Sequence, residues 1–376
     1  MNGQGKLLTH FLKNADKLVI PVYQRNYDWK EEHCKKLYSD LVKTVREGKR
    51  WHFFGGIVSV SDPMGSSSDY LVIDGQQRIT TVSLLLLAIA NLVKAGIVTP
   101  KDPNLYDVIT KKYLVDEINP KQRKMKLKPI KGDQDSYDRL WGDPSEYNQS
   151  SRITQNYLYF YNQIQRDDIS VDQLFSAVEK LQIIDITLTP PDDDPQLVFE
   201  SLNSTGLDLN EGDKIRNFVL MRRSMEEQEQ FYDDYWSPIE KNAGYDKQTN
   251  SYDVSPFIRD YLGIKERRLT AMKEIYQEFK DYVEKRGQIE DVLKELLDYA
   301  KRIRSGSPEF PLRLRASLYR LNRFESSVCR PFLMEVFRLQ EEDLFSLDTV
   351  AEVCRIVEAY LLRRLICDLP SNTQSK

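Results

Sequence analysis

The stretch that most constrains this chain is YLVIDGQQRITTVSLLLLAIANL, Tyr70 to Leu92. An apolar run, Leu71-Val72-Ile73, stops at Asp74-Gly75. Gln76, Gln77 and Arg78 follow, and then a long segment with almost no charge. The first part reads as a short strand ending in a turn. Arg78 to Val93 reads as a helix that is apolar nearly all round, so it belongs at the centre of a fold. Its apolar run, Val82 to Val93, is broken by Ser83 and Asn91 and is shorter than the roughly 20 residues of a bilayer span.

A strand that turns straight into a helix exposes the first N–H groups of that helix, which have no partner inside it. They carry partial positive charge and suit a phosphate. Gly75 permits positive φ or close approach of a ligand to the main chain. Arg78 adds a planar fork that matches phosphate oxygens. Gln76 and Gln77 can donate to oxygens or position a water, and Thr80 and Thr81 place hydroxyls in the first helical turn. Asp74 can hold Mg2+ through water, or accept from a ribose or an attacking water. Together these residues suit a nucleoside triphosphate. The plainer alternative is a capped Asp-Gly turn with Arg78 paired to an acid. No GxxxxGK[ST] loop is involved.

The rest of the chain sets the frame. With 376 residues, 40% hydrophobic and 30% charged, a soluble globular protein of more than one domain is expected. The N-terminus lacks an apolar run with a cleavage site, so a cytoplasmic location is expected, with no membrane partner. Four cysteines show no CxxC pairing and read as reduced thiols, mostly in the core. The net charge of -4 excludes a uniformly basic nucleic-acid coat. His10, His33 and His52 are the only histidines, so the usual ligand sets of a zinc or HNH nuclease centre cannot be assembled from later residues. Short strands are expected at Leu18–Ile20, Phe53–Val60 and Tyr70–Ile73, the last two antiparallel. Helices are expected at Lys30–Glu47 and, with Asn210 as its cap, Leu209–Met221. Beyond Ser224 only helical periodicity remains.

Two further segments carry chemistry. In PVYQRNYDW, Tyr23, Tyr27 and Trp29 supply rings while Gln24, Arg25 and Asn26 supply polar arms. Rings beside an arginine suit stacking on a base; the alternative is a loop folded over the core with its rings buried. In FESLNSTGLDL, Phe199 to Leu209, a helix ends in a polar turn containing Asn203 and then restarts.

IPVYQRNYDW, FFGGIV, VIDGQQRITT and FESLNSTGLDLNEGDKIRN occur in that order. Together they resemble the N-terminal domain of the GmrSD-like type IV restriction enzymes, also described as ParB/sulfiredoxin-like. The closing YLLRRLICDLPSN is similar to the stretch that leads into this family's C-terminal nuclease. The resemblance implies an α+β fold: a ParB-like nucleotide-binding domain over residues 1–225, then an all-helical domain over 226–376. It implies binding and hydrolysis of a nucleoside triphosphate (GTP, ATP, CTP or UTP, with Mg2+) at Asp74, Gln76, Gln77 and Arg78. Gln24, Arg25, Tyr27, Gly56, Gly75, Thr80, Thr81 and Asn203 are the expected nucleotide-contacting residues. The partners implied are modified DNA and an HNH nuclease domain or subunit; nuclease activity is not expected from this chain alone. A homo-oligomer is compatible with the same reading.

DNA contact is expected along Lys111–Gly132, where Lys121, Arg123, Lys124, Lys126 and Lys128 lie in a local basic excess. Tyr23 and Trp29 are candidates for reading a modification. A second basic set, Arg302, Arg304, Arg313, Arg315, Arg320 and Arg323, serves either DNA or surface ion pairs. The function expected is an NTP-hydrolysing sensor module of a modification-dependent restriction system. The alternative is a ParB-like DNA-binding or assembly module that binds nucleotide without turnover.

Overall fold

The computed structural model describes residues 2–61, 69–116, 124–166, 169–189, 192–203, 210–221, 223–246, 251–305, 310–324 and 329–368. The chain divides into two compact units, residues 1–204 and 205–376. The first holds strands β1 (Asn2–Leu7), β2 (Lys17–Val19), β3 (His52–Ser61), β4 (Asp69–Asp74), β5 (Val115–Asp116), β6 (Lys124–Met125), β7 (Leu127–Lys128) and β8 (Leu181–Leu188). Its helices are α1 (Leu8–Asn14), α2 (Glu31–Arg46), α3 (Gln76–Lys94), α4 (Leu105–Ile109), α5 (Lys131–Arg139), α6 (Arg152–Arg166), α7 (Val171–Val178) and α8 (Pro195–Asn203).

Six strands form one mixed sheet in the order β1-β8-β3-β4-β2-β7, and β5 pairs with β6 separately. β3 and β4 are antiparallel, as their close spacing in sequence suggests, whereas β3 and β8 are parallel. α3 lies against one face of the sheet, where Ile57, Val72 and Ile183 share a core cluster with Leu84 to Ala90 of α3, Leu41 of α2, Phe160 of α6 and Leu174 of α7. Nearly every residue of α3 is buried, so its lack of a polar face follows from its central position. The helix starts at Gln76 and is longer than its apolar run alone. By length and composition it could cross a membrane, yet 83% of its most apolar window is buried inside the protein, as in a core helix.

Two bulges shape the sheet beside α3. Val58 pairs with Asp74 and Ser59 with Val72, which leaves Ile73 as an extra residue in β4. Phe53 pairs with Gln182 and Gly55 with Ile183, which leaves Phe54 extra in β3. Bulges bend a strand and re-aim the residues that follow. β1 escapes sequence reading because NGQGKL is glycine-rich and polar; its place at the sheet edge beside β8 is set by pairing, not propensity.

Among its described residues, the second unit is helical apart from a two-stranded ladder of Tyr245–Asp246 with Ser251–Tyr252. The division falls upstream of the compositional change near residue 225. The helix Glu211–Leu220 packs with the later helices: Gly212 N donates to Ser255 Oγ at 2.8 Å and Tyr276 N donates to Glu211 Oε2 at 2.9 Å. Asn210 caps that helix as expected, accepting from Asp213 N at 2.7 Å. A hydrophobic cluster of Leu314, Leu318, Phe337, Val350 and Cys354 joins the last helices.

Candidate functional site

The turn after β4 is built by sterics. Gly75 caps α3 at φ 94°, and no side chain caps the helix. A Cβ at Gly75 would lie 3.0 Å from Ile57 Cγ1 and 3.1 Å from Gly56 O, so glycine is required for conformation and for space. Beside it, Arg78 lies along β3. Its Nη1 donates to Gly56 O at 2.9 Å and sits 3.8 Å from Asp74 Oδ2. Among the described residues no acceptor meets Nε or Nη2. Gly55, at φ 118°, makes room for this guanidinium: a Cβ there would stand 2.7 Å from Arg78 Nε. The side chains of Arg78 and Asp74 are 32% and 44% exposed, so the turn presents one cation and one anion to solvent at the bare end of a buried helix.

The two glutamines divide the work. Gln24 Nε2 donates to the Ile73 carbonyl at 2.7 Å, satisfying the bulge residue, and Gln76 Nε2 donates to Gln24 Oε1 at 3.1 Å. Gln77 is wholly engaged with the loop. Its Oε1 accepts from Asp28 N at 2.9 Å and Trp29 N at 3.1 Å, and its Nε2 donates to Asn26 O at 3.2 Å. An amide with both ends committed orders Pro21–Trp29 against the start of α3. This positioning task differs from the catalytic one expected of Gln77.

The loop itself runs over the core. Tyr23 and Tyr27 are buried, which corrects the expectation that they offer free faces to a base or to DNA. Tyr27 OH shares a hydrogen bond with Thr81 Oγ1 at 2.7 Å and accepts from Asn156 Nδ2 at 3.0 Å. Thr81 also donates to Gln77 O, so its hydroxyl faces inward. Thr80 is likewise buried. Asn156 Nδ2 also donates to Trp29 O at 2.6 Å, and Asp133 Oδ2 accepts from Tyr27 N at 2.6 Å. Burial pushes the Asp133 carboxyl up to about 6, against the lowering effect of that hydrogen bond. Trp29 is half-buried, stacked on His33 and edge-on to Phe54. Arg25 is half-buried and Asn26 exposed.

The expected DNA lysines separate. Lys126 is buried, and its Nζ donates to the carbonyls of Leu12, Lys13 and Lys112 at 3.2, 2.9 and 3.1 Å. It is an internal clasp for the end of α1, and desolvation draws its pKa below the usual lysine range. This corrects its assignment to DNA. Lys128 is exposed. Lys121 and Arg123, and the side chains of Lys124 and Asn203, lie outside the described residues. In the second basic set, Arg302 meets Asp298 and Glu341, Arg313 meets Glu352, and Arg320 meets Glu358, the ion-pair alternative.

Gly55, Asn156 and Asp133 complete this constellation without having been singled out from sequence. Asn156 had a signal: it lies on the apolar stripe Ile153, Tyr157, Phe160, where a polar side chain needs a buried partner. Among the described residues, no three His, Cys, Asp or Glu side chains group to hold a metal.

Fold and turn together define an α+β module organised on one central helix with an uncapped, glycine-led N-terminus, joined to a helical unit. Residues 8–220 match the family described as GmrSD restriction endonuclease, N-terminal domain. The match covers more than half of the chain, and the chain belongs to that family; it is a module of a type IV restriction system, whose substrate class is DNA. No curated protein matches the chain.

Proposed function

We propose that this module binds and hydrolyses a nucleoside triphosphate at the Asp74–Arg78 turn, and that turnover couples recognition of modified DNA to restriction by an HNH nuclease domain or subunit. The observation that carries this is the uncapped N-terminus of α3 beside a half-exposed guanidinium with unclaimed donors. Backbone N–H groups and Arg78 would hold phosphate oxygens, and Arg78 would stabilise charge developing on the transferred phosphoryl group. Asp74, half-exposed at the same turn, suits a Mg2+ held by one carboxylate, waters and substrate phosphates. When bound, that ion supplies charge neutralisation at the phosphates. Gln76, held by Gln24, is the remaining amide to orient a water. A cytoplasmic location fits this role.

The test is a phosphate-release screen over ATP, GTP, CTP and UTP, with unmodified and modified DNA. Release from at least one nucleotide is expected, with Arg78→Ala lowering it by about 100-fold or more. No release under any condition removes the hydrolytic part. The complete engagement of Gln77 favours a second reading, nucleotide binding without turnover; saturable nucleotide affinity with no phosphate release selects it.

A further inference from the structure

We propose that the sheet face turned away from α3, at the start of β3, is a contact surface for unpaired DNA. His52 Nε2 lies 3.9 Å from Asp40 Oδ2 of α2, so His52 faces the helices. Side chains alternate along a strand, so Phe53 faces the other way, and Trp51 is the residue just before β3. Trp51 is 58% and Phe53 50% exposed. Phe53 pairs with Gln182 of β8, and Ile184, next on that face of β8, is 43% exposed. Beyond it, β1 sets Gly5 against Ile184 and Gly3 against Ile186. No side chain rises from those two positions, and the Gln182 amide, on the same face, lies beside Gly5.

Charge favours a polyanion here. Lys49 and Arg50 lead directly into Trp51, and Lys43 and Arg46 end the preceding helix α2, against Glu47, all exposed. Glu47 pairs with Lys49 at 2.7 Å. Exposed rings amid cations are the equipment of proteins that stack single-stranded bases.

Spacing selects the form of DNA. Residues two apart on a strand are about 6.6 Å apart, roughly twice the 3.4 Å rise per base along one strand of a duplex. Bases seated on Trp51 and Phe53 are therefore unstacked from each other, which a closed duplex does not allow. This face lies opposite the one carrying Arg78, because Gly55, against which Arg78 rests, pairs with the inward-facing Ile183. The proposal is independent of nucleotide binding.

Fluorescence anisotropy with a labelled oligonucleotide of about 15 nucleotides, without nucleotide, tests it on the full chain. Saturable single-strand binding is expected, weaker for the matching duplex. Trp51→Ala and Phe53→Ala should each weaken it by about 5- to 100-fold, while Trp51→Phe stays within about 3-fold because a ring is kept. Leu197→Ala, at another exposed apolar position, should change nothing. Arg50→Glu keeps both rings and should lower affinity and the salt dependence together. Thermal melting by circular dichroism confirms that each variant folds. Absence of saturable single-strand binding, duplex binding as tight as single-strand, or affinity unmoved by both ring removals overturns the proposal. Loss of self-association in place of DNA affinity would instead make the face a contact between copies.

Discussion

Two aromatic segments of the first unit, VYQRNYDW and WHFF, are alike on paper and opposite in space. Tyr23 and Tyr27 turn into the core, where Gln77, Asn156 and Asp133 fasten the loop that carries them. Phe53, at the start of β3, and Trp51, just before it, stand in solvent. Ring content does not distinguish a binding loop from a structural one. What separates them is whether neighbouring backbone N–H and C=O groups are claimed by side chains from elsewhere in the fold.

The sharpest way to break this contrast is Gln77→Ala. It abandons Asp28 N, Trp29 N and Asn26 O together, and about 3 kcal/mol of stability should be lost, at about 1 kcal/mol per hydrogen bond. Urea unfolding measures it; a loss below about 1 kcal/mol would mean that the loop is held by ring burial alone.

Asp133 gives a smaller, pH-dependent effect. Its folded-state pKa, about 6, lies above the ordinary 3.8. The folded state therefore binds the proton more tightly than the unfolded state. This contribution is complete below about pH 4 and is lost as pH rises through about 6. Asp133→Asn keeps an acceptor for Tyr27 N and removes the titration. It should flatten the stability profile across that window and raise stability at pH 8 by about 2 kcal/mol. Unfolding midpoints from pH 4 to 8 check this, and parallel wild-type and variant profiles would refute it.

At the other end of the scale, Trp51→Ala should shift unfolding free energy by less than about 0.5 kcal/mol, as for an exposed side chain with no special contact. A loss above about 2 kcal/mol would show that this ring is structural after all.

Much of the fold was legible. The change from a β-rich run to a charge-free helical one locates β4 and α3, and Asn210 announces its helix. The antiparallel pairing of β3 and β4 follows from their short separation. β1 and the parallel partnership of β3 with β8 depend on long-range pairing that local periodicity does not encode. At the candidate site, the glycine turn and Arg78 could be read from residue type. The inward hydroxyl of Thr81, the clasp made by Lys126 and the anchoring by Asp133 could not. Each depends on which carbonyl, hydroxyl or backbone N–H another element brings within 3.2 Å.

The extra residue in β4 restricts how this protein can change over time. Ile73 breaks the pairing rhythm once, and Gln24 is cut to fit the carbonyl it releases. Substitutions between Tyr70 and Arg78 leave that rhythm intact. Losing a single codon there would restore an even ladder, swing Asp74 to the other side of the sheet and carry the start of the central helix with it. Relatives should therefore keep the length of this stretch fixed even where its apolar residues Leu71, Val72 and Ile73 are exchanged for others.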